Sequence, residues 1–483
     1  MNKSVQELKP QNVWKYFDEI CQIPRPSKKE EKIKKYLKEF GSKYKLDTLE
    51  DETGNILIRK NATIGFEHLP WIVLQSHMDM VCEKNSDVEF DFEQDPIQTR
   101  IEKGWVKAVG TTLGADDGIG VATQLAILAS NDIEHGSIEC LFTVDEETGL
   151  TGASGLKPNL LKSQILLNLD SEDEGELFIG CAGGIDTVVT FELELVDAPL
   201  HSKWYKIVVK GLRGGHSGDD IQKGFGNANK ILNRILQKGI VDFGLRFSKF
   251  DGGNLRNAIA REAFAEVCIP EETANDFEKM VSQMAQDIKI ELHITEPNLN
   301  IGFAELKSRK KVLSLDLQTR LINSLYACPH GVIAWSQDIP NFVETSTNLA
   351  AVKTKEDHIL VTTSQRSSSE TEKEDVANMV ASVFKLAGAN IKHSDGYPGW
   401  KPNPDSEIMR ITSLSYEKLF NKKPKVLAVH AGLECGLIGE TYPKMDMISY
   451  GPTIKGAHSP DERIEIKTVQ MFWDLTLDIL KSM

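Results

Sequence analysis

Two histidines and a series of carboxylates recur along the chain in positions that could hold metal ions. His77-Met-Asp79 follows the apolar run Trp71-Ile-Val-Leu-Gln-Ser76. Downstream come Gly114-Ala-Asp116-Asp117-Gly118, Asp145-Glu146-Glu147, Asn168-Leu-Asp170 and, much later, Gly456-Ala-His458-Ser459. His77 and His458 offer imidazole nitrogens, while Asp116, Glu147 and Asp170 offer carboxylate oxygens. Mixed nitrogen and oxygen ligands suit zinc, with manganese or cobalt as substitutes and magnesium less suited. Five ligands exceed what one open catalytic zinc needs. Two ions ~3.5–4 Å apart, bridged by one carboxylate and a hydroxide, would use them all.

Asp79 lies two residues beyond His77, so in extended chain both side chains point to the same face. A carboxylate there would fix the tautomer and basicity of a ligand imidazole. Of the adjacent Glu146 and Glu147, one can bind metal while the other takes a proton from the metal-bound water. Each motif alone has an ordinary explanation. His-x-Asp and Glu-Glu pairs are common on surfaces, and Asp116-Asp117-Gly118 alone reads as a turn or a helix cap. Asp170 could merely end a strand, and His458 alone is undistinguished. What joins them is placement. Each follows or borders an apolar segment, and parallel strands gather such residues on one rim at their carboxyl ends.

The elements that would position these residues alternate. Residues 28–44 carry Ile33, Leu37 and Phe40 at surface-helix spacing, and 55–59 and 71–76 read as strands. A helix is expected over 117–130, beginning just after the acidic turn, and strands over 137–144 and 164–169. This is an α/β pattern with at least partly parallel pairing. Near Gly183-Gly184 the texture changes. From 187 to 398, strands such as 205–209 mix with long amphipathic helices such as 271–288 and 372–386. The α/β texture then returns, with strands at 425–429 and 446–450 and a closing helix over 464–480. The expected organisation is a catalytic α/β domain with helices on both faces, built from 1–186 and 399–483. An α+β domain, 187–398, interrupts it, which explains why His458 lies 288 residues after Asp170.

The 483 residues, 40% apolar and 26% charged, describe a soluble protein of more than one domain. A net charge of −15 argues against a nucleic-acid partner. No apolar stretch approaches the ~20 residues of a membrane span, and the first residues lack the apolar core of a signal peptide. Seven cysteines, without a C-x-x-C pair, read as reduced thiols of a cytoplasmic protein.

Taken together, the motifs resemble the two-zinc dipeptidase, aminoacylase and carboxypeptidase G family. Within it, Glu146-Glu-Thr-Gly-Leu-Thr-Gly-Ala153, Gly214-Gly-His216-Ser-Gly218 and His430-Ala-Gly-Leu-Glu434-Cys-Gly436 are similar to a bacterial dipeptidase subgroup acting on Xaa-His peptides. The resemblance covers essentially the whole chain. It implies that Asp116, rather than Asp117, bridges two zinc ions, with His77 and Asp170 completing one site and Glu147 and His458 the other. It implies Glu146 as general base and acid, activating a metal-bridging water, and Asp79 as the orienting carboxylate. The inserted domain would be a lid. There His216 would polarise the scissile carbonyl, Asn257 would contact the substrate terminus, and Arg366 would clamp its carboxylate. Outside the resemblance, each of these three reads as an ordinary turn or surface residue. His430 and Glu434 border the expected pocket without an assigned role.

The implied activity is hydrolysis of unblocked dipeptides, including Xaa-His peptides such as carnosine. Asp at position 170, where acylases of the family carry Glu, favours dipeptides over N-acyl amino acids. An aminoacylase or carboxypeptidase-like amidohydrolase is the alternative enzyme. A metal-binding protein without turnover is the alternative outside catalysis. The lid, roughly twice that of the smaller dimeric relatives, leaves both a homodimer through the lid and a monomer open.

Overall fold

A computed structural model describes residues 4–307 and 310–483. The chain divides into two compact units, one of Met1–Gly180, Trp400–Ala428 and Leu433–Met483, the other of Cys181–Gly399 and Val429–Gly432. Sequence patterning puts the divisions at 186 and 398, and nothing in it signals the return of 429–432 to the second unit.

The first unit is built on an eight-stranded sheet. Its order is Asp47–Glu50, Ile56–Lys60, Ile138–Thr143, Ile72–His77, Ile165–Asn168, Asp446–Ser449, Glu176–Cys181 and Lys425–Val429. The four central strands pair in parallel, and the strands flanking them pair antiparallel. Ile72–His77 and Ile138–Thr143 are buried at every residue, so both faces of the sheet are covered. His77 stands opposite Thr143, and Gln75 opposite Asn168. This register levels the carboxyl ends, so the chain leaves for Glu146, Glu147 and Asp170 from the same rim that carries His77.

The helix Ala115–Ala129 is buried along most of its length and packs against Ile72–His77 and the helix Gln11–Cys21. Asp116 and Asp117 have non-helical backbone angles at its start. Asp117 Oδ1 accepts from the Gly120 N–H at 3.0 Å, the role of an N-capping carboxylate. A small four-stranded sheet contains the paired strands Ile454–Lys455 and Arg463–Glu465, and His458 lies in the loop between them.

The second unit is antiparallel, which is why its strands alternate rather than run apolar throughout. Its nine-stranded sheet includes Ser202–Lys210, Ala263–Pro270, Val343–Thr354, His358–Ser367 and Gly183–Glu192. Alternating burial along Ala263–Pro270 marks one packed face. The helices Ala228–Phe243, Ala274–Glu291, Leu315–Ala327 and Glu370–Leu386 share one core with the sheet through Phe247, Phe277, Leu321 and Phe384.

Candidate active site

The five expected ligands of the first unit converge. His77 Nε2 lies 3.0 Å from Asp116 Oδ1 and 3.4 Å from Asp170 Oδ1. His458 Nε2 lies 3.0 Å from the other Asp116 oxygen, Oδ2, and 3.1 Å from Glu147 Oε2. Two groups of ligand atoms result, His77–Asp116–Asp170 and Asp116–Glu147–His458, each within 4.8 Å and sharing Asp116. Glu146 falls in a third group with His77 and Glu147. Glu147 Oε1 is buried without a hydrogen-bond partner. A lone carboxylate oxygen among imidazoles, and a central carboxylate with one oxygen turned to each histidine, fit a pair of divalent ions.

Asp79 supports this arrangement from beneath. Its Oδ1 stands 3.4 Å from His77 Nδ1 and accepts from the Glu146 N–H at 3.1 Å. Its Oδ2 accepts from Ser27 Oγ at 2.7 Å and from the Glu147 N–H at 3.3 Å. One carboxylate thus orients the imidazole and the backbone that presents both glutamates.

The local field is strong. Burial pushes the Asp116 carboxyl up, but the two imidazoles facing it prevail and hold it well below the usual range. Burial works against a charged His77, yet Asp170, Asp116 and Asp79 raise it well above the ordinary imidazole value. Hydrogen bonds to Asp116 and Glu147 push His458 up to about 11. Asp79, despite burial, is drawn down to about 2 by His77 and Ser27. Glu146 moves the other way. Its burial, then Asp170, Glu434 and Glu147, outweigh His77 and hold the carboxyl well above the usual value. A raised carboxyl is what a group that takes up and returns a proton near neutrality requires.

Two further groups in this unit escaped the sequence reading, and a third, Glu434, was named there without a role. Arg25, buried, donates to the carbonyls of Met78 (3.2 Å), Asp79 (2.6 Å) and Gly114 (2.5 Å). Glu462 accepts from backbone N–H groups of the Asp116 loop, among them Leu113 at 2.7 Å. Glu434 accepts from Gln75 Nε2 at 2.6 Å and Thr143 Oγ1 at 2.7 Å, and burial pushes it up to about 7. Arg25 and Glu462 act on main-chain atoms, which leave no mark in a sequence. Glu434 was visible in its motif but gave no hint of its partners.

In the second unit, His216 and Arg366 meet, with Arg366 Nη2 3.4 Å from His216 Nε2. His216 follows the glycine turn after Ser202–Lys210, where Gly215 has φ +143°, and its Nδ1 lies 3.1 Å from Asp219 Oδ2. Arg366, buried on His358–Ser367, also donates to Tyr397 Oη at 3.0 Å and Ser217 Oγ at 3.3 Å. Asn257 is exposed, and its carbonyl accepts from the Ser217 N–H at 2.8 Å, which sets it beside the His216 turn. The Asn254 amide oxygen is engaged by Lys353 Nζ at 2.9 Å. His430, in the returning segment, bonds Ser346 Oγ at 2.7 Å; burial and Arg366 hold its imidazole down to about 3, so it is neutral.

The pattern of Peptidase family M20/M25/M40 matches residues 73–481. The cytosol non-specific dipeptidase of Escherichia coli (strain K12) is 43% identical over 476 residues, spanning 99% of this chain and 98% of that protein. The crystal structure of aminoacylhistidine dipeptidase from Vibrio alginolyticus matches with a TM-score of 0.94 at 46% identity, covering 100% of this chain and 98% of that one. A tripeptidase from Staphylococcus aureus shares the fold at 19% identity and a TM-score of 0.58, with 98% of each chain covered.

Proposed function

The chain belongs to peptidase family M20/M25/M40, and from that premise we propose that it is a metal-dependent dipeptidase cleaving unblocked dipeptides, Xaa-His peptides such as carnosine among them. The observation that carries the metal reading is Asp116, with each carboxylate oxygen turned to a different histidine. His77, Asp116 and Asp170 would hold one ion, and Asp116, Glu147 and His458 the other; the nitrogen and oxygen donor set favours zinc. Such ions, when bound, acidify water and polarise a carbonyl. The full-length similarity to two dipeptidases supports the substrate class. The cytoplasm is the compartment this reading assigns, in keeping with seven cysteines that form no disulfide among the described residues and with an E. coli relative named for the cytosol. Among the described residues no helix is long and apolar enough to cross a membrane.

Glu146 takes a proton from the attacking water and delivers one to the leaving amine. Asp79 holds both His77 and the Glu146 backbone in place, so base and ligand keep a fixed relation while the proton moves. His216 donates to the scissile carbonyl oxygen as negative charge develops. Arg366 pairs with the substrate carboxylate, its planar fork matching the two oxygens, and Asn257 contacts the same terminus. His430 stays neutral beside Arg366 and so leaves the guanidinium charge to the substrate.

The test compares carnosine, an alanyl dipeptide and an N-acetyl amino acid as substrates of zinc-loaded protein and its Glu146→Ala variant. Wild type should hydrolyse the dipeptides. The variant should retain its zinc while kcat falls about 10²–10⁴-fold, the usual contribution of general acid–base catalysis. Preference for the N-acetyl substrate would move the reading to an aminoacylase. Zinc binding without hydrolysis of any dipeptide would leave a binding protein.

A further inference from the structure

His458 occupies the tip of the loop joining Ile454–Lys455 to Arg463–Glu465, and its side chain is 53% exposed. A ligand so open to solvent is not held by packing. At the base of the same loop, Glu462 is only 2% exposed, and both of its oxygens face the backbone of the Asp116 loop. Oε2 accepts from the N–H groups of Leu113 at 2.7 Å and Gly114 at 3.0 Å. Oε1 accepts from Ala115 at 2.7 Å and Asp116 at 3.4 Å. Successive amides turned onto one carboxylate form an anion nest. The charge on the acceptor makes these bonds stronger than neutral ones. Glu462 therefore ties the segment that carries one metal-facing side chain to the segment that carries another.

We propose that Glu462 is a positioning residue of the metal centre, a brace that fixes the separation of Asp116 and His458. It thereby sets the affinity for the ion these two share with Glu147. The inference rests on the two-ion reading above. It bears unequally on the two ions: of His77, Asp116 and Asp170 it braces only Asp116, since His77 and Asp170 leave the central strands, whereas of Asp116, Glu147 and His458 it braces two. A brace that served the fold alone would make no such distinction.

Zinc uptake can be followed by titration against a chromophoric chelator, with bound metal counted after dialysis and folding checked by near-UV circular dichroism. Glu462→Gln keeps the volume but turns an amide NH2 toward backbone N–H groups, breaking part of the nest. It should fold without metal, bind the ion of His77, Asp116 and Asp170 with the smaller loss, and bind the other about 10–100-fold more weakly, the usual cost of losing a supporting group. Activity should return as free zinc is raised. Glu462→Asp keeps the charge and should recover part of the affinity; no recovery would count against a carboxylate brace. Fewer than two ions on wild type would sink the two-ion reading itself. If wild type binds two, the brace alone is refuted by a Glu462→Gln variant that binds both as tightly, weakens both equally, or fails to fold with and without zinc.

Discussion

With Asp116 and Glu147 at 3.0 and 3.1 Å, the His458 imidazole is pushed up to about 11, and His77 is raised despite its burial. At neutral pH the metal-free site thus carries two imidazolium ions where metal would otherwise supply positive charge. A divalent ion requires neutral nitrogens, so its uptake must expel those protons. Calorimetric titration with zinc near pH 7, in buffers of different ionisation enthalpy, should show net proton release, from the imidazoles and from Asp170, whose carboxyl burial raises. Affinity should rise with pH, because proton and metal compete for the same nitrogens. An enthalpy independent of buffer would mean that the metal-free site does not hold these protons.

At the scale of elements, the site depends on loops pinned at main-chain atoms. Gly114 adopts φ +67° just before Asp116, and a Cβ there would sit 2.6 Å from Arg25 Nη2 and 2.9 Å from Met80 Sδ. Gly114→Ala should cost about 1–2 kcal/mol for the left-handed backbone alone, plus whatever displacing buried Arg25 adds. Urea unfolding of the metal-free variant should show a lowered midpoint, and an unchanged midpoint would refute this account. The same pinning explains what a sequence can disclose. His77, Glu147 and Asp170 were legible because they follow apolar runs whose strand register levels their ends, whereas Asp116, at the start of a helix, and His458, in a hairpin loop of another sheet, were legible only through their motifs. The central strands were legible for the same reason, as unbroken apolar runs of strand length. Arg25 and Glu462 were not legible, since their partners are carbonyls and amides common to every residue. The return of 429–432 to the second unit escaped because Val429-His-Ala-Gly432 is too short to carry a periodicity of its own.

At the scale of the molecule, the second unit has the form of an insertion. A Cβ on Gly180 would lie 2.5 Å from Pro402 Cγ and 2.9 Å from the Trp400 carbonyl, so the chain leaves the first unit and re-enters it at neighbouring points. The core of the second unit is contiguous and drawn from residues 189–387. Metal bound by the first unit alone stabilises that unit alone, by about 2.7 kcal/mol at a free concentration of 100 Kd. A chelator should therefore lower one calorimetric transition of the full chain, and leave the melting of an isolated 181–399 fragment unchanged. A fragment that responds to chelator would show metal bound outside the proposed ligands. The insertion also sets a schedule. During synthesis His77, Asp116, Glu147 and Asp170 emerge before the second unit, and His458 with Glu462 only after it. A growing chain thus holds one set of the proposed ligands complete and the other open for more than two hundred residues. Full metal loading, and with it peptide cleavage, begins only when the interrupting unit has been made.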